Sequence, residues 1–169
     1  MKMWNSISER LKHHPERLAV ARALVENGLS VKSGKIFCNE IEIPIIRVAR
    51  AAKVDRRTVI ETLRTITHDS QLTRLFKQIR SAGLSLKEMA KDLGFGVVEI
   101  TPDDPRTVGI LAGTSSIIAG AGISIRQALV DDPELNPEPR LTLVTERKIP
   151  GDLIPKILGV KGVEKVSVY

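Results

Sequence analysis

The sequence predicts an α+β protein in two parts, a helical N-terminal half followed by a half ordered β-α-β-β-α-β. Three observations predict it. Charge is segregated, with eighteen Lys/Arg against ten Asp/Glu in residues 1–93 and eight against ten in residues 94–169. Apolar spacing changes near residue 93 from the three-and-four-residue repeat of amphipathic helices to strand-like runs. Finally, residues 107–125 form a glycine-rich stretch without charge, bracketed by Arg106 and Arg126.

In the first half, Pro15 opens a helical pattern that places Leu18, Val20, Ala21, Leu24 and Val25 on one stripe, and Asn27-Gly28 stops it. LSVKSGKIFCNEIEI alternates apolar and polar residues around Ser33-Gly34, the pattern of a short hairpin or wing. Pro44 precedes a helix over IIRVARAA, and Asp55 is placed to cap the next, RRTVIETLRTI. Two further amphipathic helices are expected over 70–82 and 85–92, around Gly83. The organisation read from this is a first domain over 1–68, a helical connector over 69–93 and a second domain over 94–169.

VARAAKVDRRTVIETL, residues 48–63, has the spacing of a helix-turn-helix. Ala49 is small where two helices cross, and Val48, Ala52, Val54 and Val59 would lock them together. In that motif the second helix enters the DNA major groove, with its N-terminal residues against base edges. Arg56, Arg57 and Thr58 occupy that start, and Thr62 lies one turn on. Arg57, Glu61 and Arg64 are expected to face outward. Arginine suits the place because its planar fork binds a guanine edge or a phosphate bidentately. Arg47 and Arg50, on the preceding helix, are placed to neutralise phosphates and fix the register. The segment resembles the bacterial and archaeal helix-turn-helix regulators, which implies double-stranded DNA as a partner.

The uncharged stretch excludes three attractive readings. Nine of its nineteen residues are Gly, Ser or Thr, too polar for a membrane span of about twenty apolar residues. A Walker loop needs a lysine that is absent between Arg106 and Lys148. A dinucleotide fingerprint must follow a strand directly, whereas Gly120-Ala121-Gly122 follows a helical pattern. The remaining reading is a strand over FGVVEI, a turn, a helix over 108–121 with Leu111, Ser115 and Ile118 inward, and a strand over ISIRQALV. RLTLVTERKI, a helix over GDLIPKILG and VEKVSVY complete the ferredoxin-like order.

DDPRTVGILAGTSSIIAGAGISI resembles the opening of an ACT domain, with its acidic turn, a glycine at the helix start and Gly-Ile-x-Ile at the second strand. Joined to the first half, the chain is similar to archaeal regulators of amino-acid metabolism. The resemblance implies an amino-acid effector, with no cofactor, bound at a subunit interface. Backbone amides at Val108, Gly109, Ile110 and Leu111 would meet the ligand carboxylate, as a helix N-terminus favours an anion in general. Asp103 or Asp104 would face the ligand ammonium or cap the helix, and Ala121, Gly122 and Ile123 would form the opposite wall. An edge strand over ISIRQALV invites pairing with a second copy, so a homodimer or higher homo-oligomer is expected.

Other signals are blander. His13-His14 lack accompanying ligands and read as solvated surface, and Cys38 reads as a small apolar filler. A lone cysteine and an N-terminus without an apolar signal core suit a cytoplasmic, non-membrane protein. No nucleophile–base constellation or metal-ligand spacing is found, so no catalysis is expected. Two alternatives remain: a regulatory subunit docking on a biosynthetic enzyme, and RNA binding on the ferredoxin-like sheet.

Overall fold

The structure, a computed structural model, describes residues 3–169. Among the described residues it is a mixed α+β protein with seven helices and two antiparallel sheets. The chain divides into two units, the first ending at Gly83 and the second spanning Leu84–Tyr169.

The first unit begins with α1 (Met3–Leu11), which buries Trp4, Ile7 and Leu11. Proline starts α2 (Pro15–Glu26), where its missing N–H costs nothing. His13 and His14 lie in the link between these helices rather than on a helix. A three-stranded sheet follows, β1 (Leu29–Lys32), β2 (Lys35–Cys38) and β3 (Ile41–Ile43), paired in that order. Ser33 and Gly34 both adopt positive φ, 52° and 75°, the two-residue turn whose twist matches flanking strands. Three helices complete the unit, α3 (Ile45–Ala52), α4 (Arg56–His68) and α5 (Ser70–Gln78). Val20, Leu24, Ile36, Val59, Ile66, Leu72 and Phe76 are its buried interior. Asp69 both ends α4 and caps α5, accepting from the amides of Gln71 at 2.8 Å and Leu72 at 3.0 Å. The Leu72 hydrogen bond, joined by those of Gln71 and Arg10, outweighs partial burial and holds its carboxyl below the ordinary range.

The second unit has the order β4 (Gly96–Pro102), α6 (Ile110–Gly120), β5 (Ile125–Val130), β6 (Leu141–Thr145), α7 (Leu153–Leu158), β7 (Val163–Val168). Its sheet runs β5-β6-β4-β7 with every neighbour antiparallel, leaving β5 and β7 at the edges. Val98, Ile100, Leu141 and Leu143 pack on one face against Ile110, Ile118, Leu153 and Ile157 of the two helices. The other face is covered by a strap, residues 84–95, through Leu86, Ala90 and Phe95 on Val97 and Val144. Gln127 of β5 fastens this strap: its amide accepts from Leu86 N at 2.8 Å and donates to Leu84 O at 2.6 Å.

The structure corrects several expectations. α5 stops at Gln78 because Ile79 turns extended, at φ −60° and ψ 134°. Residues 85–92 are irregular turns, held by the sheet beneath rather than by a helical ladder. Of the connector expected over 69–93, α5 falls in the first unit and the strap in the second. α6 is shorter than 108–121, because Gly109 sits at φ +95° and the helix starts after it. Its inward row is Ile110, Thr114 and Ile118, not Leu111, Ser115 and Ile118. Gly113 explains the rotation, since a Cβ there would lie 2.9 Å from Val160 Cγ1. That face must stay bare for the loop before β7 to approach. No helix among the described residues is long and apolar enough to cross a membrane.

Candidate functional site

In the first unit, α3 and α4 are joined by a turn in which Lys53 adopts the left-handed conformation, φ 54° and ψ 43°. Val48, Ala49 and Val59 are buried where the two helices meet. Asp55 caps α4 by accepting from Arg57 N at 2.6 Å, which fixes where the helix begins. This start carries its cations outward, for Arg56 and Arg57 are both exposed, as are Arg47 and Arg50 on α3. Arg47, Arg50 and Arg56 make no ion pair among the described residues, and Arg57 has only Glu61, at 3.8 Å.

Two expected contacts change. Thr62 is fully buried, and its hydroxyl donates to Thr58 O at 2.8 Å, so it cannot reach a groove. Val59, Thr62, Leu63 and Ile66 form the inward face of α4, which takes Thr62 with them. Thr58 is half-buried and donates to Glu16 Oε2 at 3.1 Å, tying it to α2. Glu61, expected outside, instead accepts from Arg17 Nη2 at 2.7 Å. Its charge is thereby turned toward α2 and partly neutralised. Arg64, not among the expected DNA contacts, is exposed on the same face as Arg57, seven residues or two turns along.

In the second unit, a cavity of about 260 Å³ lies beside the start of α6. Gly109, Ile110 and Leu111 line it, together with Ile100, Val130 and Leu141. No side chain caps α6, and no acidic residue lies in its first turn. Its leading amides therefore have neither an intrahelical acceptor nor a side-chain one. Gly109 leaves open space where a side chain would project.

The other expected ligand contacts are not gathered here. Val108 is 91% exposed and does not line the cavity. Asp103 accepts from Asp104 N at 2.6 Å, and Asp104 from Arg106 N at 2.9 Å. Both carboxylates thus brace the preceding turn, and neither caps the helix. Ala121, Gly122 and Ile123 sit at the far end of α6, about 16 Å from its start at 1.5 Å per residue over eleven residues. Within one chain the two groups of residues cannot meet the same small ligand.

Glu99, whose side chain is only 6% exposed, is a feature that sequence reading missed. It projects from β4 on the strap side and accepts from Lys87 Nζ at 2.8 Å. Arg140 Nη1 stands 3.9 Å from its other oxygen. Burial pushes the Glu99 carboxyl up, but Lys87, Tyr169 and Arg140 together outweigh it and hold the carboxyl below its ordinary value. The Lys87 ammonium is correspondingly raised, chiefly by its hydrogen bond to Glu99. Alternation along a strand places a glutamate between Val98 and Ile100 on the second face, which was the available clue.

No family model and no curated protein matches the chain. Fifteen chains of solved structures match it. One is a glycine-to-threonine mutant of Rv3291c, 17% identical, with 89% of this chain and 87% of that chain covered, at a TM-score of 0.30. A likeness at that level carries no argument about function.

Proposed function

We propose that the protein is a transcriptional regulator that binds double-stranded DNA through a helix-turn-helix and senses an amino acid on an ACT-type, ferredoxin-like unit. The observation that carries this reading is the start of α4. Arg56 and Arg57 stand exposed at the start of a capped helix whose opposite face is locked into the interior, and Arg47 and Arg50 stand exposed on the helix before it. Such a surface matches the groove-plus-phosphate chemistry of DNA, with Arg47 and Arg50 on the backbone and Arg56 and Arg57 on the phosphates lining the groove or the base edges beside them. The nearest acid on α4, Glu61, is engaged by Arg17 and offers the DNA little repulsion.

The sensing half of the reading rests on the uncapped start of α6 beside its cavity, where an effector carboxylate accepts from the leading amides. Because Ala121–Ile123 lie at the wrong end of the helix, they complete the site only from a second copy. The open edge of β5 offers the pairing surface for that copy. A two-fold dimer would present two α4 helices to a two-fold operator. Effector binding then changes operator affinity by favouring one arrangement of the dimer over another.

The RNA alternative finds no support, because the sheet face that would stack bases carries the strap, and β4 and β6 hold no aromatic residue. The test of the proposal is fluorescence anisotropy with labelled genomic fragments. Binding should be weakened in Arg56→Ala/Arg57→Ala and altered by one amino acid; equal binding by the double variant would favour docking on another protein instead.

A further inference from the structure

The cavity beside α6 also specifies what kind of side chain an effector carries. Twelve residues line it, and only Thr107, Asp131 and Arg140 have polar side chains. Two of these are already committed. The Asp131 carboxylate accepts from Asn136 Nδ2 at 2.9 Å and from Arg140 N at 3.1 Å. The Arg140 guanidinium donates to Glu138 at 3.3 Å and leans toward Glu99. What remains is an apolar wall of Ile100, Pro102, Ile110, Leu111, Val130 and Leu141.

We infer that the effector is an aliphatic α-amino acid, of the size of valine, leucine, isoleucine or methionine, with its side chain in this cavity. The inference rests on the amino-acid-sensing reading above and adds the chemical class to it. A charged side chain entering here would give up much of its water to a mainly apolar wall, a penalty that apolar groups do not incur. Size argues the same way. At about 260 Å³ the cavity falls just below the roughly 300–1,000 Å³ of pockets for drug-sized molecules. That volume suits the side chain of a single small metabolite. Carboxylate recognition at the helix start and side-chain recognition in the wall are then contributed by adjacent residues, Gly109 through Leu111.

Calorimetric titration of the full chain with valine, leucine, isoleucine, methionine, alanine, aspartate, lysine and tryptophan tests this. Leucine or a close relative should bind at least about tenfold more tightly than alanine, since each well-fitted methylene contributes about ten- to two-hundred-fold. Aspartate, lysine and tryptophan should show no binding. If one of those three binds and the aliphatic group does not, the class is wrong and the sensing reading stands. If no amino acid binds, both fall. Leu111→Gln, at a position 41% exposed, keeps the side chain close in size and adds an amide to the wall. It should weaken leucine by about tenfold or more while the melting temperature of the free protein is unchanged. Val130→Thr, isosteric and at an exposed strand position, gives a second reading should Leu111→Gln destabilise the fold. Undiminished leucine affinity in both variants would remove the side chain from this cavity and overturn the inference.

Discussion

Replacing Arg56 and Arg57 by alanine tests the proposed DNA-binding surface quantitatively. Each copy exposes Arg47, Arg50, Arg56 and Arg57, so a dimer presents eight guanidinium groups. With about 0.9 counterions released per phosphate neutralised, log affinity should fall with log salt at a slope of about −7. Between 50 and 200 mM salt, binding then weakens by roughly 10⁴-fold. The double variant keeps four of the eight, so its slope should drop to about −3.6 and its loss over the same interval to roughly 10²-fold. If Arg56 or Arg57 also reads a base edge, discrimination between cognate and scrambled fragments falls by a further 1–3 kcal/mol or so per lost pair. Anisotropy titrations across a salt series measure both quantities. Lys161→Ala/Lys165→Ala, which removes the same charge from exposed positions on the second unit, should leave the slope unchanged. A wild-type slope near zero, or equal slopes in wild type and the arginine variant, would refute the assignment of phosphates to this surface.

Three further predictions concern stability. The Glu99 carboxyl is held below its ordinary value of about 4.5, so its contribution is present above that pH and is lost as pH falls through the lowered value. The Lys87 contribution is present below about 10.5 and lost as pH rises through its raised value. Glu99→Gln should flatten the acid limb of the melting profile and cost about 1–2 kcal/mol, discounted because Lys87 is 37% exposed and can rehydrate; an unchanged acid limb would mean the pair is not formed. The Thr114 hydroxyl is buried without a hydrogen-bond partner among the described residues, so Thr114→Val should stabilise by about 1 kcal/mol in denaturant unfolding. A loss of stability there would reveal a partner for that oxygen. Lys53 occupies left-handed backbone, and Lys53→Gly should gain up to about 1 kcal/mol of thermal stability, whereas destabilisation would indicate that the lysine stem packs in the turn.

What the sequence disclosed about the fold followed the strength of each local signal. Pro15, the Ser33-Gly34 turn and Asp55 are residues whose backbone chemistry leaves few choices, and each stands where its type demanded. The strand order of the second unit was legible because its strands alternate or run apolar between clear breaks. α1 was legible too, from Trp4, Ile7 and Leu11 at helical spacing, but was read only for what it lacked as a signal sequence. The strap was not legible: Leu86 and Ala90 have helical spacing, yet a sheet face and Gln127 supply their partners from distant sequence. Helix phase was the other weak point. α6 has apolar residues around much of its circumference, so periodicity could not select its inward row, and the decisive constraint was Gly113 against Val160. In α4 the same ambiguity put Thr62 on the wrong side, and only tertiary contacts turned Glu61 toward Arg17.

For the candidate sites, the backbone position of a residue was easier to read than the partners of its side chain. Gly109, Ile110 and Leu111 line the cavity as expected from the glycine at the strand-to-helix turn. Asp103 and Asp104 were attractive because acids often cap helices, but the turn they brace has prior claim on both carboxylates. Arg140, which separates the cavity from the Glu99 cluster, lies behind a proline-rich loop with no periodicity to place it.

The claim that one chain joins an effector site to a DNA-binding surface is tested most directly by measuring operator affinity at fixed salt with and without a saturating aliphatic amino acid. The account predicts a change of about five- to 150-fold, the usual range of coupling between two sites, with DNA altering amino-acid affinity by the same factor. Identical DNA affinity in the presence of an amino acid that calorimetry shows to be bound would contradict it.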